Sequence, residues 1–181
     1  MTGRTSSVAN TLTGGTGAYT FIMLNKNDVM DGGTGTDVLD INFSAILGGI
    51  EVDLSSTTDQ VVTFNGGSNS AVQTTFENVD VSGYTGTFGA QITAIKGGST
   101  ITGTEQADVM TGGAGADIFR MASDTAIDDK DTIAGGAGAN ALTMMVADTG
   151  INDADFANMT LVQTFNLGNG VNTAVLGANA V

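Results

Sequence analysis

Gly32-Gly33-Thr34-Gly35-Thr36-Asp37-Val38-Leu39-Asp40 is the stretch on which the reading of this chain turns. Its glycines admit the backbone angles of a tight turn at no steric cost. Asp37 closes the turn with a carboxylate, and Val38-Leu39-Asp40 continues as a short strand whose middle side chain faces one side. A phosphate loop or a dinucleotide loop needs a helix after the glycines. A β-prone run follows here instead, and the pattern recurs. Gly112-Gly113-Ala114-Gly115-Ala116-Asp117-Ile118-Phe119-Arg120 is a second full copy.

Partial copies surround these two. Gly14-Gly15-Thr16-Gly17 and Gly135-Gly136-Ala137-Gly138 repeat the glycine turn. Stepping back by nine from Asp37 reaches Asp28, Tyr19 and Asn10, and the apolar place two residues later holds Leu39, Met30, Phe21 and Leu12. Stepping back from Asp117 reaches Asp108 and Ser99, with Phe119, Met110 and Ile101. Asp131 with Ile133, and Asn140 with Leu142, form another pair after a step of fourteen, so five residues are inserted there. Two phased blocks result, residues 10–41 and 99–144.

On these residues the chain resembles the RTX family, whose nonapeptide Gly-Gly-x-Gly-x-Asp-x-apolar-x builds a calcium-binding parallel β-roll. The resemblance implies an all-β fold, a right-handed parallel β-solenoid with calcium at its Gly-Asp turns. The implied ligand positions are Asp28, Gly32, Gly33, Gly35, Asp37, Asp108, Gly112, Gly113, Gly115, Asp117, Asp131, Gly135 and Gly136. Flanking segments are similar to what accompanies such arrays in large secreted bacterial proteins: Gly49-Ile50-Glu51-Val52-Asp53-Leu54-Ser55, and Phe76-Glu77-Asn78-Val79-Asp80-Val81-Ser82-Gly83. Asn166-Leu167-Gly168-Asn169-Gly170-Val171-Asn172 resembles repeats of surface-layer and adhesin-like proteins.

The physical chemistry agrees. Calcium takes six to eight hard oxygens at about 2.3–2.6 Å in irregular geometry, which turn carbonyls and Asp carboxylates supply. Two nonapeptides make one coil, so residues eighteen apart stack. Tyr19 then stacks with Asp37, Asn10 with Asp28 and Ser99 with Asp117, each pair with one carboxylate. If the insertion loops out, Asp108 stacks with Asp131 and Asp117 with Asn140. Asp108/Asp131 is the two-carboxylate pair, and charge ranks it as the strongest ion site. Tyr19, Asn10, Ser99 and Asn140 degrade the lattice, so fewer ions are expected than Gly-Gly pairs.

Composition narrows the function. The 181 residues suit one domain and include no Cys, His, Pro or Trp. That excludes zinc fingers, His-liganded catalytic metals, Ser-His-Asp and Cys-His nucleophiles, and disulfide frameworks. Sixteen of the 19 acidic residues are Asp, a turn residue rather than a helix former. The net charge of −14 argues against nucleic acid and anionic membrane surfaces. Disorder fits poorly with 41% hydrophobic residues and a mean hydropathy of +0.16. No apolar run is long enough to span a bilayer, and Met1-Thr2-Gly3-Arg4-Thr5-Ser6-Ser7 lacks the apolar core of a secretory signal. The chain is thus expected to be cytosolic, exported by another route, or a piece of something longer.

Between and after the blocks, short apolar runs such as Ala45-Ile46-Leu47, Val61-Val62-Thr63-Phe64 and Gln91-Ile92-Thr93-Ala94-Ile95 predict solenoid rungs without calcium turns. Residues 146–158 have room for one short helix. No segment has linker composition, so one continuous solenoid over residues 1–181 is expected. Asp128-Asp129 reads as a solvated loop rather than a glycosidase pair, and Met144-Met145 as core filling. The row flanking Leu12, Phe21, Met30 and Leu39 is too irregular for an ice-facing lattice.

The expected function is a calcium-dependent, self-assembling structural protein at the outside of a bacterial cell, as part of a surface layer, filament or adhesin. It is expected to be no enzyme, to associate with its own copies into sheets or filaments, and to bind neither nucleic acid nor the membrane interior. The resemblance implies type I secretion. The alternative is the C-terminal accessory domain of a secreted hydrolase, although neither His-Glu-x-x-His nor Gly-x-Ser-x-Gly occurs in this chain.

Overall fold

The computed structural model describes residues 9–42, 48–64, 67–122 and 125–180, so the readings of residues 1–7 and 45–47 fall outside it. A nonapeptide leaves only three or four residues between turns, and the strands are correspondingly short. In chain order they are β1 (Thr11–Thr13), β2 (Thr20–Met23), β3 (Val29–Asp31), β4 (Val38–Ile41), β5 (Ile50–Asp53), β6 (Val61–Phe64), β7 (Gly67–Ser68), β8 (Gln73–Thr74), β9 (Asn78–Asp80) and β10 (Ala90–Thr93). They continue as β11 (Thr100–Thr102), β12 (Val109–Thr111), β13 (Ile118–Met121), β14 (Thr132–Ala134), β15 (Ala141–Met144), β16 (Ile151–Asn152), β17 (Met159–Thr160), β18 (Thr164–Asn166) and β19 (Ala174–Val175). No α-helix occurs among the described residues.

One wall is a seven-stranded parallel sheet in the order β18-β15-β13-β11-β9-β4-β2. The other wall is in two pieces. The parallel run β17-β14-β12-β10-β5 continues into the antiparallel β6 and β7, while β1, β3 and β8 form a separate parallel sheet. The chain is therefore all-β and rolled between parallel walls. Within the blocks the pairing step is eighteen residues, as in Thr20↔Val38 and Thr100↔Ile118. Across the insertion, Val109 pairs with Thr132 and Ile118 with Ala141. Across the middle, Val38 pairs with Asn78 and Ile50 with Ala90, so β9 and β10 are rungs of the same walls.

Strand alternation sends one apolar side chain per strand inward, and parallel register stacks these into columns. Phe21, Leu39, Val79, Ile101, Phe119 and Leu142 form one column and are all buried. Val52, Ile92, Met110 and Ile133 face them from the other wall.

The middle differs from plain rungs at one place. Between Leu54 and β8 the strands β6 and β7 leave the coil as antiparallel additions to β5, and the seam beside them is polar. Gln73 takes the core place that Leu12 and Met30 hold in β1 and β3. It is fully buried, donates to Asp28 O (2.6 Å) and accepts from Asn69 Nδ2 (2.6 Å). Gln60, also buried, donates to Leu54 O and Phe76 O and accepts from Phe76 N–H. These bonds offset the cost of buried amides where the wall breaks. Near the other end, Asp153–Phe156 is a single 3-10 turn with a capping box between Asn152 and Asp155.

Candidate metal centre

The four Gly-Gly-x-Gly turns all lie on one edge of the roll, where the chain crosses into the seven-stranded wall: before β2, β4, β13 and β15. Here they stack. A Cβ on Gly14 would stand 1.9 Å from Gly32 O, and one on Gly112 would stand 2.1 Å from Gly135 O and 2.6 Å from Asp117 Oδ2. Gly33 lies against Gly15 O, Gly35 against Gly17 O, Gly113 against Ile95 O, Gly115 against Gly97 O, and Gly136 against Gly113 O. Gly135 lies against Leu161 O. Side chains are excluded because backbone carbonyls of the neighbouring coil occupy that space. The stack is a column of carbonyl oxygens with carboxylates beside it.

The Asp places are tied by a directional ladder. On this edge Tyr19 N–H donates to Asp37 Oδ1 (2.8 Å), Ser99 N–H to Asp117 Oδ1 (2.7 Å), and Asp117 N–H to Asn140 Oδ1 (2.9 Å). On the opposite edge Asn10 N–H donates to Asp28 Oδ1 (2.9 Å), Ala90 N–H to Asp108 Oδ1 (2.7 Å), and Asp108 N–H to Asp131 Oδ1 (2.9 Å). Each side chain holds the backbone of the preceding coil. The pairs named from the eighteen-residue rule, and Asp108/Asp131 and Asp117/Asn140 across the insertion, are all brought together.

The second carboxylate oxygens divide the sites. Asp117 Oδ2 accepts from Gly113 N–H (2.8 Å), Asp108 Oδ2 from Thr104 N–H (2.7 Å), and Asp131 Oδ2 from Asp128 N–H (2.9 Å). Asp28 Oδ2 and Asp37 Oδ2 are buried with no hydrogen-bond partner. Gly33 N–H, the counterpart of Gly113 N–H, is diverted to Asp31 Oδ1 (3.0 Å) and Thr75 Oγ1 (2.8 Å).

Burial raises the pKa of Asp108 and Asp117. Burial, with the Asp108 and Asp128 charges, pushes Asp131 up to about 6. Among the described residues the ion pair nearest them is Lys130 with Asp128, and none joins a basic side chain to Asp108, Asp117 or Asp131. A buried carboxylate without a counter-charge is relieved by a proton or by a cation.

Calcium fits this donor set. The oxygens are hard, the carbonyl column cannot be filled by side chains, and two buried carboxylate oxygens lack a donor. Among the described residues no three acidic side chains converge, so an ion here draws on carbonyls as much as on carboxylates. Asp28, Asp37, Asp108, Asp117 and Asp131 are the side chains placed to hold calcium. An ion held there would supply charge compensation for the buried carboxylates.

Reading by nines missed the turns that close each stack. Thr75-Phe76-Glu77 lies where a six-residue turn is expected, and so does Leu161-Val162-Gln163. Thr75 and Leu161 have φ of 60° and 57°, the only described non-glycine residues at positive φ. Glu77 Oε2 accepts Asp37 N–H (2.7 Å), and Gln163 Oε1 accepts Asn140 N–H (2.6 Å). A further ladder bond joins Asp148 N–H to Asn172 Oδ1 (3.0 Å). The signal available in sequence was Glu or Gln before a strand, which has no nine-residue period.

A family model described as RTX calcium-binding nonapeptide repeat (4 copies) matches residues 25–40, 96–120 and 126–143. No curated protein and no solved structure matches the chain. The matched segments carry Asp28, Asp37, Asp108, Asp117, Asp131 and Asn140, the side chains of the two ladders. The chain carries RTX-type calcium-binding nonapeptide repeats, and such repeats bind calcium ions.

Proposed function

We propose that the protein is a non-enzymatic, calcium-dependent structural component outside the cell, assembled from many copies into sheets or filaments. RTX repeat proteins are typically secreted, and no helix among the described residues is long and apolar enough to cross a membrane. The observation that carries the reading is the pair of open strand edges on the long wall. Among the described residues β2 and β18 each pair on one side only. A strand edge left unpaired is a template for pairing with another copy. Apolar side chains stand exposed toward the β18 end, including Leu161, Leu167, Val171 and Leu176.

Calcium is the natural trigger. At −14 the chain repels itself, and each ion removes two negative charges while adding its binding energy to folding. Electron microscopy of the purified protein with calcium and with chelator tests the proposal. Ordered sheets or fibres in calcium alone are expected. Discrete monomers in both conditions overturn assembly and favour an accessory role beside a secreted hydrolase.

A further inference from the structure

We propose that calcium is demanded by the Asp28 and Asp37 turns of the first block, and that Asn140 and Asn172 make their turns independent of it by putting an amide where the ion would act. The inference rests on what the second side-chain atom meets at each Asp place.

Asn140 takes the ladder N–H on Oδ1 like any Asp of the series. Its Nδ2 donates into the turn carbonyls, to Leu161 O at 2.9 Å, Ala137 O at 3.4 Å and Gly136 O at 3.5 Å. Asn172 repeats the device: Oδ1 accepts Asp148 N–H, and Nδ2 donates to Gly168 O (2.7 Å) and Gly170 O (3.2 Å). The carbonyls that would otherwise face a cation face N–H groups, and no charge is buried.

Asp37 is the contrasting case at an equivalent place. A Cβ on Gly135 would stand 2.0 Å from Leu161 O and 2.7 Å from Asn140 Nδ2. A Cβ on Gly32 would stand 2.4 Å from Thr75 O and 3.2 Å from Asp37 Oδ2. Leu161 and Thr75 are the matching closing residues, so an oxygen faces a carbonyl oxygen where the other stack has an amide. Asp37 Oδ2 has no donor, and Asp28 Oδ2 has none either. Two such buried oxygens cost folding free energy until a cation meets them. The Asp108/Asp131 pair, ranked first by charge, has every oxygen bonded: Asp108 accepts from Ala90, Thr104 N–H and Thr104 Oγ1, and Asp131 from Asp108 and Asp128. Donor supply therefore moves the demand to the first block.

Hydrogen exchange on the full chain, titrated with calcium and with magnesium as control, reads this directly. In chelator, amides of β15 and β18 should stay protected while those of β2, β3 and β4 exchange. Calcium should raise protection in β2–β4 at least about tenfold and in β15 and β18 less than about threefold. Equal gains in both regions at one midpoint, or a larger gain in β15 and β18, overturn the proposal. The double variant Asp28→Asn/Asp37→Asn should protect β2–β4 without calcium and lose most of the calcium increment. A folded variant that still needs calcium there overturns it, and if the variant does not fold the wild-type map decides.

Discussion

The backbone N–H of Asp37 donates to Glu77 Oε2 at 2.7 Å across forty residues of sequence. The partner in the second stack, Asn140 N–H to Gln163 Oε1 at 2.6 Å, has no charge on either side chain. What the two closures share is an acceptor oxygen on a side chain one methylene longer than Asp or Asn, reaching from a turn three residues shorter. The Gln163 closure forms the same bond with a neutral acceptor.

Glu77→Ala should cost about 1–2 kcal/mol in calcium, because it leaves the Asp37 N–H without its acceptor. Glu77→Gln should retain most of that stability, since Gln163 already performs the same role as an amide. Denaturant melts of the three proteins decide it. Equal losses from both substitutions would show that the carboxylate charge, not the bond, holds the stack.

The left-handed residues that begin the closing turns make a separate prediction. Leu161 is exposed and carries a Cβ at a φ of 57°, which costs about 1–2 kcal/mol in a non-glycine residue. Leu161→Gly should raise stability, by up to about 1 kcal/mol once glycine's unfolded-state entropy is subtracted. Thr75→Gly should not, because Thr75 Oγ1 donates to Asp31 Oδ1 (2.5 Å) and accepts Gly33 N–H (2.8 Å). A thermal melt in which Thr75→Gly gains as much as Leu161→Gly would contradict the assignment.

These closures also mark where the sequence stops being readable. Asp28, Asp37, Asp108, Asp117 and Asp131 were legible because Gly at fixed places and Asp at the turn end each have one physical reason to recur. The apolar ladder from Phe21 to Leu142 followed from the same period. Thr75 and Leu161 carry no glycine to announce their φ, and their short turns close coils that extra residues elsewhere lengthen from eighteen to forty or twenty-three residues. Gln60 and Gln73 sit in the core with nothing in their neighbours to say so, because the bonds that satisfy them, to the Leu54 and Phe76 backbone for Gln60 and to Asp28 O and the Asn69 side chain for Gln73, form only in the folded chain. The family match covers residues 25–40, 96–120 and 126–143 and includes neither closing turn.

Glycine substitutions should separate turn geometry from mere flexibility. A Cβ on Gly112 would lie 2.1 Å from Gly135 O, a backbone atom that cannot move without displacing the next coil. Gly112→Ala should therefore destabilise by about 1–3 kcal/mol or more, on the scale of overpacking against an atom that cannot yield. Gly67, in the exposed β7, would place its Cβ 3.7 Å from Phe64 O, an ordinary contact. Gly67→Ala should change stability by less than about 0.5 kcal/mol. Similar losses at the two positions would mean that the stacked carbonyls can yield.

The acid–base balance of the ion-free protein gives the last test. Asp131 is pushed up to about 6 by burial and by the Asp108 and Asp128 charges, and burial raises Asp108 and Asp117 as well. A carboxyl whose folded pKa lies above its unfolded value favours the neutral form in the fold. Its stabilising contribution is complete below the unfolded value of 3.8 and is lost as pH rises through about 6. Calcium-depleted protein should therefore melt at falling temperatures as pH goes from about 4 to about 6.5. The overall charge of −14 pushes in the same direction, so the slope alone does not identify Asp131. Asp131→Asn isolates it: the amide keeps an oxygen for Asp108 N–H and cannot ionise, so its slope should be shallower across that window. Saturating calcium should flatten the wild-type slope, since the cation compensates the ionised carboxylate that burial disfavours. Identical slopes for wild type and Asp131→Asn without calcium would remove Asp131 as the group responsible.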